Sequence, residues 1–598
     1  MCGIVGIHGI QDPQWIKNMN HSQHHRGPDD AGSFWDPSLN LSLSMRRLSI
    51  VDRSGGQQPM VSPDGRFVLV YNGEIFNAPS LRLELEASGY IFSSHHSDTE
   101  VLFALLQREG RHALQKLNGM FAFAFFDRQT GRLLCARDRI GIKPFYFTHQ
   151  AGVFAFASEL KSLLSLPTIS RAIDRQSLFH YLSLQYVPGE QSIIAGIHRL
   201  PPAHYILYDI YSCSFETCRW WHFNFNPDPT HSVSEWTYLI RNTLHDSVRR
   251  WSLSDVPLGA SLSGGLDSSA VVTIASSLGL DVHTFSLGFA RNDEDQWNEL
   301  PLARQVAQQC GTKHSELILD PETLLDDLEA MVSALDEPYG GGLPSWYVFK
   351  HMSNQVRVCL TGTGGDELFG NYGKWLHLER RSFPFLLSRT SSAVDLALFR
   401  TLFFNRFYYF TDTDKRSILI DSTDSLVDTA EILYQHFISS HTSSVRDSAA
   451  ITDCQTQLPD EFLHMTDRFS MHHSIEARTP FLDNELIDLV QRIPAALRTS
   501  RSDYKYLLRK SLLPIVPQQV IHAPKRGFVL PLSMWLRGRL AELVYDLLNP
   551  RTLSEQGLFS SSLYHRYVEP HLVGNADHAQ KIWSLIMFQM WHKQLLDA

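Results

Sequence analysis

A cysteine in the second position is the first residue of this sequence whose type and place could do chemistry. Removal of Met1 would put the Cys2 thiol and a free α-amine on one residue. An α-amine titrates near ~7.7–8.0 and a thiol near ~8.5, so at neutral pH the amine can accept the thiol proton. Taken alone, a cysteine here is more often a small buried apolar residue. With a free amine it is a nucleophile that carries its own base.

Polar segments at predicted strand ends and turns accompany Cys2, at 25–29 (HRGPD), 47–52 (RLSIVD), 72–74 (NGE) and 97–98 (SD). Functional residues concentrate at such positions. Together with Cys2, these segments resemble the class II glutamine amidotransferases, which are amino-terminal-nucleophile hydrolases. The resemblance implies that Cys2 attacks the side-chain amide of glutamine.

The same resemblance assigns roles to the other polar residues. The Asn72 side-chain amide and the Gly73 backbone N–H would stabilise the oxyanion of the tetrahedral intermediate. Arg47, Glu74 and Asp98, with Asn72, would bind glutamine, whose α-carboxylate requires a fixed cation and whose α-ammonium requires a fixed acid. Any of these charged residues taken singly is more often a surface ion pair or a turn cap.

A second candidate site is the loop 263–269 (SGGLDSS), which follows an apolar strand predicted at 258–262 and opens a helix at 266. Two glycines let the backbone approach a phosphate, and the serine hydroxyls and helix-start N–H groups can donate to it. Out of context, the Gly-Gly pair is equally a tight turn. A Walker A motif, GxxxxGK[ST], is absent.

In its strand–loop–helix setting, SGGxDS resembles the pyrophosphate loop of the ATP pyrophosphatases. The loop 361–367 (TGTGGDE), after a strand predicted at 356–360, supplies a matching acid. The resemblance implies that Asp267 and Asp366 bind Mg²⁺ and that Lys505 neutralises the phosphates. The remaining positions that match ATP contacts are Leu262, Ser263, Gly264, Gly265, Ser268, Leu287, Thr361 and Gly362.

The order of predicted strands and helices differs between the parts of the chain that carry the two sites. Short strands separated by turns fill the first 200 residues, with helices near 79–88 and 98–109, which predicts an α+β layered sandwich. From 258 to 360 strands alternate with helices at 266–277, 300–310 and 321–335, which predicts an α/β doubly wound parallel sheet. Beyond 375 the chain is predicted to be mainly helical. We expect a glutaminase domain at 2–205, a linker at 206–233 and a synthetase domain at 234–598.

Composition excludes several classes of protein. With 598 residues and 43% hydrophobic residues the chain is expected to fold throughout as more than one domain. A formal charge of −10 disfavours nucleic acid and anionic membranes as partners. The seven cysteines form no CxxC pair, which fits a reducing cytoplasm. No apolar run approaches the ~20 residues of a membrane span.

A glutaminase fused to an ATP-pyrophosphatase domain is the plan of the glutamine-hydrolysing asparagine synthetases, and this chain resembles that family from Cys2 to at least the Arg526-Gly527 region. The family uses ATP and Mg²⁺ to convert aspartate to an acyl-adenylate, which ammonia from glutamine attacks after passing through an internal tunnel. Glutamate, asparagine, AMP and pyrophosphate are the products. Other matching segments are 137–141 (RDRIG), 157–161 (ASELK), 336–338 (DEP) and 474–483 (SIEARTPFLD).

One position departs from the family. Thr363 stands where typical asparagine synthetases carry a glutamate and β-lactam-forming relatives a tyrosine, and its hydroxyl cannot be a general base near pH 7. Glu367 and Glu476 are nearby acids that could replace that glutamate. The departure leaves open amidation of another carboxylate, such as a sugar acid or a peptide side chain. A catalytically silent paralogue and a homodimer also stay open.

Overall fold

The computed structural model describes residues 2–289, 299–320, 323, 325–370, 372–380, 394–420, 425–439, 442, 444–524 and 531–597. The Arg526-Gly527 segment, to which the sequence resemblance reaches at least, lies outside these residues. So do residues 321, 322 and 324 of the helix predicted at 321–335.

The amino-terminal part consists of two six-stranded sheets with helices packed on them, and all of its strand pairs between named strands are antiparallel. The strands are β1 Cys2–His8, β2 Asp30–Asp36, β3 Leu41–Arg47, β4 Met60–Val61, β5 Phe67–Ile75, β6 Gly119–Asp127, β7 Arg132–Arg137, β8 Tyr146–Gln150, β9 Val153–Ala157, β10 His198–Arg199, β11 His204–Asp209 and β12 Ser214–Arg219. The α-helices are α1 Gln14–Ser22, α2 Ala78–Ala87, α3 Asp98–Glu109, α4 Leu160–Leu164 and α5 Arg175–Leu184, and 3₁₀ turns span His24–Arg26 and Gly110–Lys116.

The sheets are ordered β10-β8-β9-β1-β3-β2 and β12-β11-β7-β6-β5-β4. Alternate residues of each strand face the other sheet, and an apolar cluster that includes Ile4, Met45 and Val70 fills the space between them. The opposite face of β5 and β6 packs against α3. This α+β layered sandwich is the predicted fold of the first half.

The hairpin β11–β12 extends this part of the chain beyond its predicted end at 205. β11 pairs with β7 from Tyr205 to Asp209, and β12 pairs with β11. Residues 206–219 therefore belong to the second sheet rather than to the predicted linker at 206–233, and the irregular composition concealed the strand alternation there. We place the connecting segment at 220–232.

The next part is a five-stranded parallel sheet of order β15-β14-β13-β16-β17, as predicted. Because the chain runs outward from β13 to β15 and then returns to the other side of β13, the order reverses between β13 and β16. Ligands bind at such switch points. The strands are β13 Leu258–Ser261, β14 Val282–Phe289, β15 Lys313–Leu319, β16 Val358–Leu360 and β17 Glu476–Arg478.

The carboxyl-terminal part is helical between and after these strands. The first helices are α6 Val233–Trp251, α7 Leu266–Ser277, α8 Leu300–Cys310, α9 Leu328–Leu335, α10 Pro344–Met352 and α11 Gly365–Phe369. Then follow α12 Trp375–Arg380, α13 Leu396–Phe399, α14 Asn405–Phe407, α15 Asp412–Ile418, α16 Thr429–Ile438, α17 Val445–Gln455, α18 His464–His472, α19 Asn484–Arg492, α20 Ala495–Arg498, α21 Tyr506–Leu512, α22 Gln518–His522, α23 Leu532–Arg537, α24 Ala541–Leu548, α25 Pro550–Gln556, α26 Glu569–Leu572 and α27 Ala579–Asp597. π-Helical turns span Arg400–Phe404, Leu458–Leu463 and Tyr564–Val568, and a 3₁₀ turn spans Pro480–Leu482. Within the described ranges, none of the helices combines the length and the hydropathy needed to cross a bilayer.

Candidate functional site

The polar residues expected to act on glutamine lie at one end of the space between the two antiparallel sheets. Arg47 continues the inward-facing row of β3 beyond Met45, and Cys2 begins the inward-facing row of β1. Asn72 and Glu74 continue the inward-facing row of β5. Strand alternation, which keeps this face apolar along most of each strand, thus delivers four polar side chains to one place.

Cys2 is only 6% exposed, and its neighbours hold it on several sides. Its backbone nitrogen donates to Asn72 Oδ1 at 3.0 Å, and its carbonyl accepts from Arg26 Nε at 3.2 Å. Cys2 pairs with Arg47 across β1 and β3. Burial raises the pKa of the Cys2 thiol. The positive charge of Arg47 lowers the same pKa, but by less than burial raises it.

Asn72 and Gly73 present hydrogen-bond donors near Cys2. Asn72 is fully buried, and its Nδ2 has no hydrogen-bond partner among the described residues. The N–H groups of Tyr71 and Ile75 point away from β6, to Gln58 Oε1 at 2.6 Å and Asp98 Oδ2 at 3.1 Å. Because N–H directions alternate along a strand, the Gly73 N–H points to the same edge. A buried donor without a partner indicates a ligand position.

Glu74 and Asp98 are buried carboxylates in mutual electrostatic contact. Asp98 begins α3 and accepts from Tyr71 Oη at 2.8 Å, while Glu74 Oε2 lies 3.7 Å from Arg478 Nη2. Burial and then the Asp98 charge raise the pKa of Glu74 well above its ordinary value, and burial also raises the pKa of Asp98. A cation bound between the two would relieve both penalties.

Arg47 is 5% exposed and is held in place by backbone oxygens rather than by an acid. Its Nη1 donates to the Arg53 carbonyl at 2.9 Å and its Nη2 to the Asp52 carbonyl at 3.0 Å. A guanidinium positioned by neutral acceptors keeps its full charge for an incoming carboxylate.

The second candidate site is a cavity of about 410 Å³ at the carboxyl ends of β13, β14 and β16. Its lining includes every position that the sequence matched to ATP or its metal. These residues are Leu262, Ser263, Gly264, Gly265, Asp267, Ser268, Leu287, Thr361, Gly362, Asp366 and Lys505.

Two glycines allow the loops of this cavity to form. Gly264 has a φ of +82°, which favours glycine, and the loop closes where Gly265 N–H donates to Ser263 Oγ at 3.2 Å. A Cβ on Gly362 would lie 2.7 Å from the Ser268 nitrogen. The loop after β16 therefore packs directly on the start of α7, whose N–H groups face the cavity.

The two predicted metal-binding acids converge on one cation. Lys505 Nζ lies 2.5 Å from Asp267 Oδ2 and 2.5 Å from Asp366 Oδ1. Lys505 has a φ of 55°, a conformation that costs a non-glycine residue about 1 kcal/mol or more and that these ion pairs help to hold. Among the described residues there is no cluster of three or more potential metal ligands. Two hard carboxylates that share a cation fit Mg²⁺, since Mg²⁺ usually takes one or two carboxylates and completes its shell with substrate phosphates and water.

Glu367 lines the same cavity, whereas Glu476 does not. Glu367 is 3% exposed and accepts from Tyr372 Oη, and burial and the Asp366 charge raise the pKa of Glu367 to about 7. The Thr363 hydroxyl accepts from Thr361 Oγ1 at 3.2 Å. Of the two acids named as replacements for the missing glutamate, only Glu367 faces the cavity.

Arg478 and Arg26 join the two sites, and sequence reasoning assigned neither a role. Arg478 Nε donates to Glu476 Oε1 at 2.5 Å, and its carbonyl accepts from the Thr361 N–H at 2.8 Å, so it connects Glu74 to the cavity loop. Arg26 is fully buried and donates to Glu159 Oε1 at 2.9 Å and Asp467 Oδ2 at 2.7 Å. The segments that contain Arg26, Glu159 and Arg478 match the family in sequence, but Asp467 and Glu74, the partners of Arg26 and Arg478 from the other half of the chain, lie 441 and 404 positions away.

Family comparisons cover both halves of the chain. The glutamine amidotransferase domain model matches residues 1–221, and the asparagine synthase model matches residues 239–593. The first range ends at the start of the connecting segment at 220–232, and the second begins within α6.

Relatives match along the whole length. Asparagine synthetase [glutamine-hydrolyzing] 1 of Bacillus subtilis is 31% identical over 626 residues, covering 99% of this chain and 96% of its own. Asparagine synthetase [glutamine-hydrolyzing] 3 of the same organism is 30% identical over 566 residues, covering 88% of this chain and 87% of its own. A solved allosteric regulatory enzyme of purine biosynthesis aligns with a TM-score of 0.30 at 16% identity, over 53% of this chain and 80% of its own, which is too weak a likeness to bear on function.

Proposed function

The chain belongs to the asparagine synthase family and carries a glutamine amidotransferase domain, and from this membership we propose that it is a glutamine-hydrolysing carbon–nitrogen ligase. Glutamine is cleaved at Cys2, and the ammonia passes within the protein to the second site. There ATP activates a carboxylate as an acyl-adenylate, which ammonia converts to an amide. The products are glutamate, the amide, AMP and pyrophosphate.

The glutaminase step uses the groups around Cys2. Once Met1 is removed, the atom that donates to Asn72 Oδ1 is the α-amine itself. Because burial keeps the thiol neutral, this amine takes the thiol proton as sulfur attacks the amide carbon. Asn72 Nδ2 and the Gly73 N–H donate to the oxyanion. The C–N bond then breaks, ammonia leaves with the proton held by the amine, and water hydrolyses the thioester to glutamate.

The head group of glutamine binds through opposite charges. Arg47 holds the α-carboxylate, and Glu74 and Asp98 hold the α-ammonium. The support for this is that the two acids are buried together with raised pKa values, a state that a ligand cation stabilises.

In the second site the acceptor carboxylate attacks the α-phosphorus of ATP, and the bond to pyrophosphate breaks. Gly264, Gly265 and the N–H groups at the start of α7 hold the phosphates, and Lys505 neutralises the charge on the departing pyrophosphate. Asp267 and Asp366 would hold Mg²⁺, which when bound supplies charge neutralisation and orientation to the phosphates. Ammonia then attacks the acyl carbon, AMP leaves with one acceptor oxygen, and Glu367 takes the surplus proton.

The observation that supports the proposal is that the glutaminase residues lie together around Cys2 and the ATP residues line one cavity of the same chain, with buried ion pairs at Arg26 and Arg478 between the two parts. The relatives' names point to free aspartate as the acceptor. Thr363, which lines the cavity at the position where the family carries a glutamate, favours a second candidate, the amidation of another carboxylate.

The experiment is to measure glutamate, AMP and pyrophosphate together with purified protein, glutamine, ATP, Mg²⁺ and a panel of carboxylic acids. An accepted acid should yield equal amounts of the three products. ADP and phosphate in place of AMP and pyrophosphate, or no ATP cleavage with any acid, would contradict the proposed function.

A further inference from the structure

The loop after β3, residues 48–56, holds the side chain of Arg47. The Arg47 guanidinium donates to the carbonyls of Asp52 and Arg53, and a Cβ on Gly56 would lie only 2.5 Å from Arg47 Nη2. Asp52 has a φ of 41°, a left-handed conformation that is unfavourable for a residue other than glycine and persists only where its surroundings hold it. The direction of the Arg47 charge therefore depends on what holds Asp52.

Two contacts within the first half of the chain hold the buried side chain of Asp52. Its Oδ1 accepts from the Gly55 N–H at 2.9 Å, which closes the turn, and its Oδ2 accepts from the His96 N–H at 3.0 Å. His96 lies two positions before Asp98, the acid that would bind the α-ammonium group of glutamine. The loop that orients Arg47 and the segment that carries Asp98 are therefore joined at Asp52.

Asp255, from the second half of the chain, holds the backbone of Asp52. Its Oδ2 accepts from the Asp52 N–H at 2.9 Å and lies 2.7 Å from His96 Nε2, which carries the hydrogen because a carboxylate oxygen accepts. The N–H of Asp255 donates to the Ile50 carbonyl at 3.2 Å. Asp255 lies three positions before β13, the strand that leads into the phosphate loop. One residue of the second half thus contacts both segments assigned to glutamine.

Stabilisation of the fold is the simpler explanation of these contacts. The side chains of Asp255 and His96 are 41% and 54% exposed, however, and an exposed ion pair adds little to the free energy of unfolding. The bond to Asp52 acts on a residue whose carbonyl accepts from Arg47, so a small displacement there moves the guanidinium. Misplacement by about 1 Å of a group that positions a substrate can lower activity by up to about 10²-fold. These contacts therefore have more influence on geometry than on stability.

We propose that Asp255 is a positioning residue for the binding of glutamine. By holding the N–H of Asp52 it fixes the conformation of that residue, and the Asp52 carbonyl in turn fixes the Arg47 guanidinium where the α-carboxylate binds. The second half of the chain thereby takes part in recognising the substrate of the first half. This role rests on the proposed function, in which Arg47 binds the α-carboxylate of glutamine.

The test is the steady-state hydrolysis of glutamine by the full-length protein and three variants. Asp255→Ala removes the acceptor, and we expect KM for glutamine to rise about fivefold, as for the loss of one hydrogen bond, while kcat stays within about twofold. Asp255→Asn keeps an oxygen that can accept from the Asp52 N–H and should keep KM within about twofold of the wild-type value. Asp281→Ala removes an exposed carboxylate just before the neighbouring strand β14 and should leave both constants unchanged.

A second measurement separates glutamine binding from damage to the nucleophile. Iodoacetamide has no charged head group, so its rate of alkylation of Cys2, followed by mass spectrometry, should be the same in Asp255→Ala and the wild type. A slower alkylation would overturn the inference, because the change would then act on Cys2 itself. Circular dichroism and thermal unfolding establish that each variant is folded.

The kinetic constants give the other contrary results. An unchanged KM in Asp255→Ala, a fall in kcat alone, or an equal rise in KM in Asp255→Ala and Asp255→Asn would overturn the inference and leave the proposed function standing. A wild-type protein that does not hydrolyse glutamine would overturn both.

Discussion

The amino-terminal site takes its groups largely from paired strands, whereas the carboxyl-terminal cavity takes its groups from loops and helices that follow parallel strands. Cross-strand register fixes Cys2 against Arg47, and the bond to Asn72 fixes the backbone of Cys2. In the cavity, by contrast, Lys505 and Met465 come from segments more than a hundred residues beyond the phosphate loop.

This difference separates two kinds of specificity. A site built into strands can change little without disturbing the sandwich, which suits a fixed reagent such as glutamine. A cavity lined by helices and loops can change its chemistry residue by residue while the sheet and the phosphate loop stay intact.

Cys2→Ala should have the largest effect, because it should abolish the activity of one site and leave the activity of the other. Glutamine-dependent amide formation should be abolished because no other nucleophile is expected to replace the thiol. Ammonia-dependent synthesis should continue within about twofold, because the cavity does not use that thiol. Amide formation from both nitrogen sources is followed by mass spectrometry. Loss of the ammonia-driven reaction in a folded variant would show that the sites are not separate.

Glu367→Gln should act only on the second half of the synthetase reaction. General-base catalysis contributes about 10²–10⁴-fold, so amide formation should fall by that order while ATP–pyrophosphate exchange persists. Since the pKa of Glu367 is raised to about 7, the base form is lost as pH falls through 7. The wild-type rate at a fixed concentration of free ammonia should therefore fall below pH 7, and this limb should be missing in the variant. An identical pH profile for both proteins would exclude Glu367 as the base.

Asn72→Ala should lower the glutaminase rate and leave the reaction in the ATP cavity unchanged. Removing one donor to an oxyanion costs about 10²–10³-fold in kcat. Glutaminase kcat is the measurement, with ATP–pyrophosphate exchange as the internal control. An effect confined to KM would assign Asn72 to substrate binding alone.

Arg26→Met tests the connection between the sites. Removing one partner of a buried ion pair costs about 3–5 kcal/mol, whereas the same substitution at the more exposed Arg66–Asp127 pair should cost about 1 kcal/mol or less. Free energies of unfolding from urea titration give both values. Burial acts to raise the pKa of Asp467, but the Arg26 charge and the other groups around Asp467 outweigh burial, so the net pKa is lowered. The stability that Asp467 contributes as a carboxylate is therefore present above about pH 4 and is lost as pH falls further. If Arg26→Met is as stable as Arg66→Met, the Arg26 ion pairs do not stabilise the contact between the two halves of the chain.

The sequence predicted the parts of each site that are contiguous along the chain. The strand–loop–helix around Asp267 needs only local signals, so its element bounds agree closely with the structure, and its loop residues line one cavity. The amino-terminal sandwich was also predicted, because alternation marked its longer strands. The β11–β12 hairpin, which continues the second sheet past residue 205, was not predicted because its outer strand carries few buried residues.

What the sequence did not reveal depends on distant pairing. Nothing local to Arg26 or Arg478 indicates Asp467 or Glu74, which lie 441 and 404 positions away. Phe462 and Met465 look like ordinary core residues in the sequence, and only the structure shows that they line the cavity.

The most direct test of two coupled sites in one chain is a double-isotope experiment. The protein is given [amide-¹⁵N]glutamine, ATP, Mg²⁺ and the ¹⁸O-carboxylate form of an acid that releases pyrophosphate, in unlabelled ammonium buffer. We expect ¹⁵N in the amide product and one ¹⁸O in AMP, and neither product from Asp267→Asn, which should retain glutamine hydrolysis. An amide that carries buffer nitrogen with no ¹⁵N, or AMP free of ¹⁸O, would contradict transfer of glutamine nitrogen to an adenylated carboxylate.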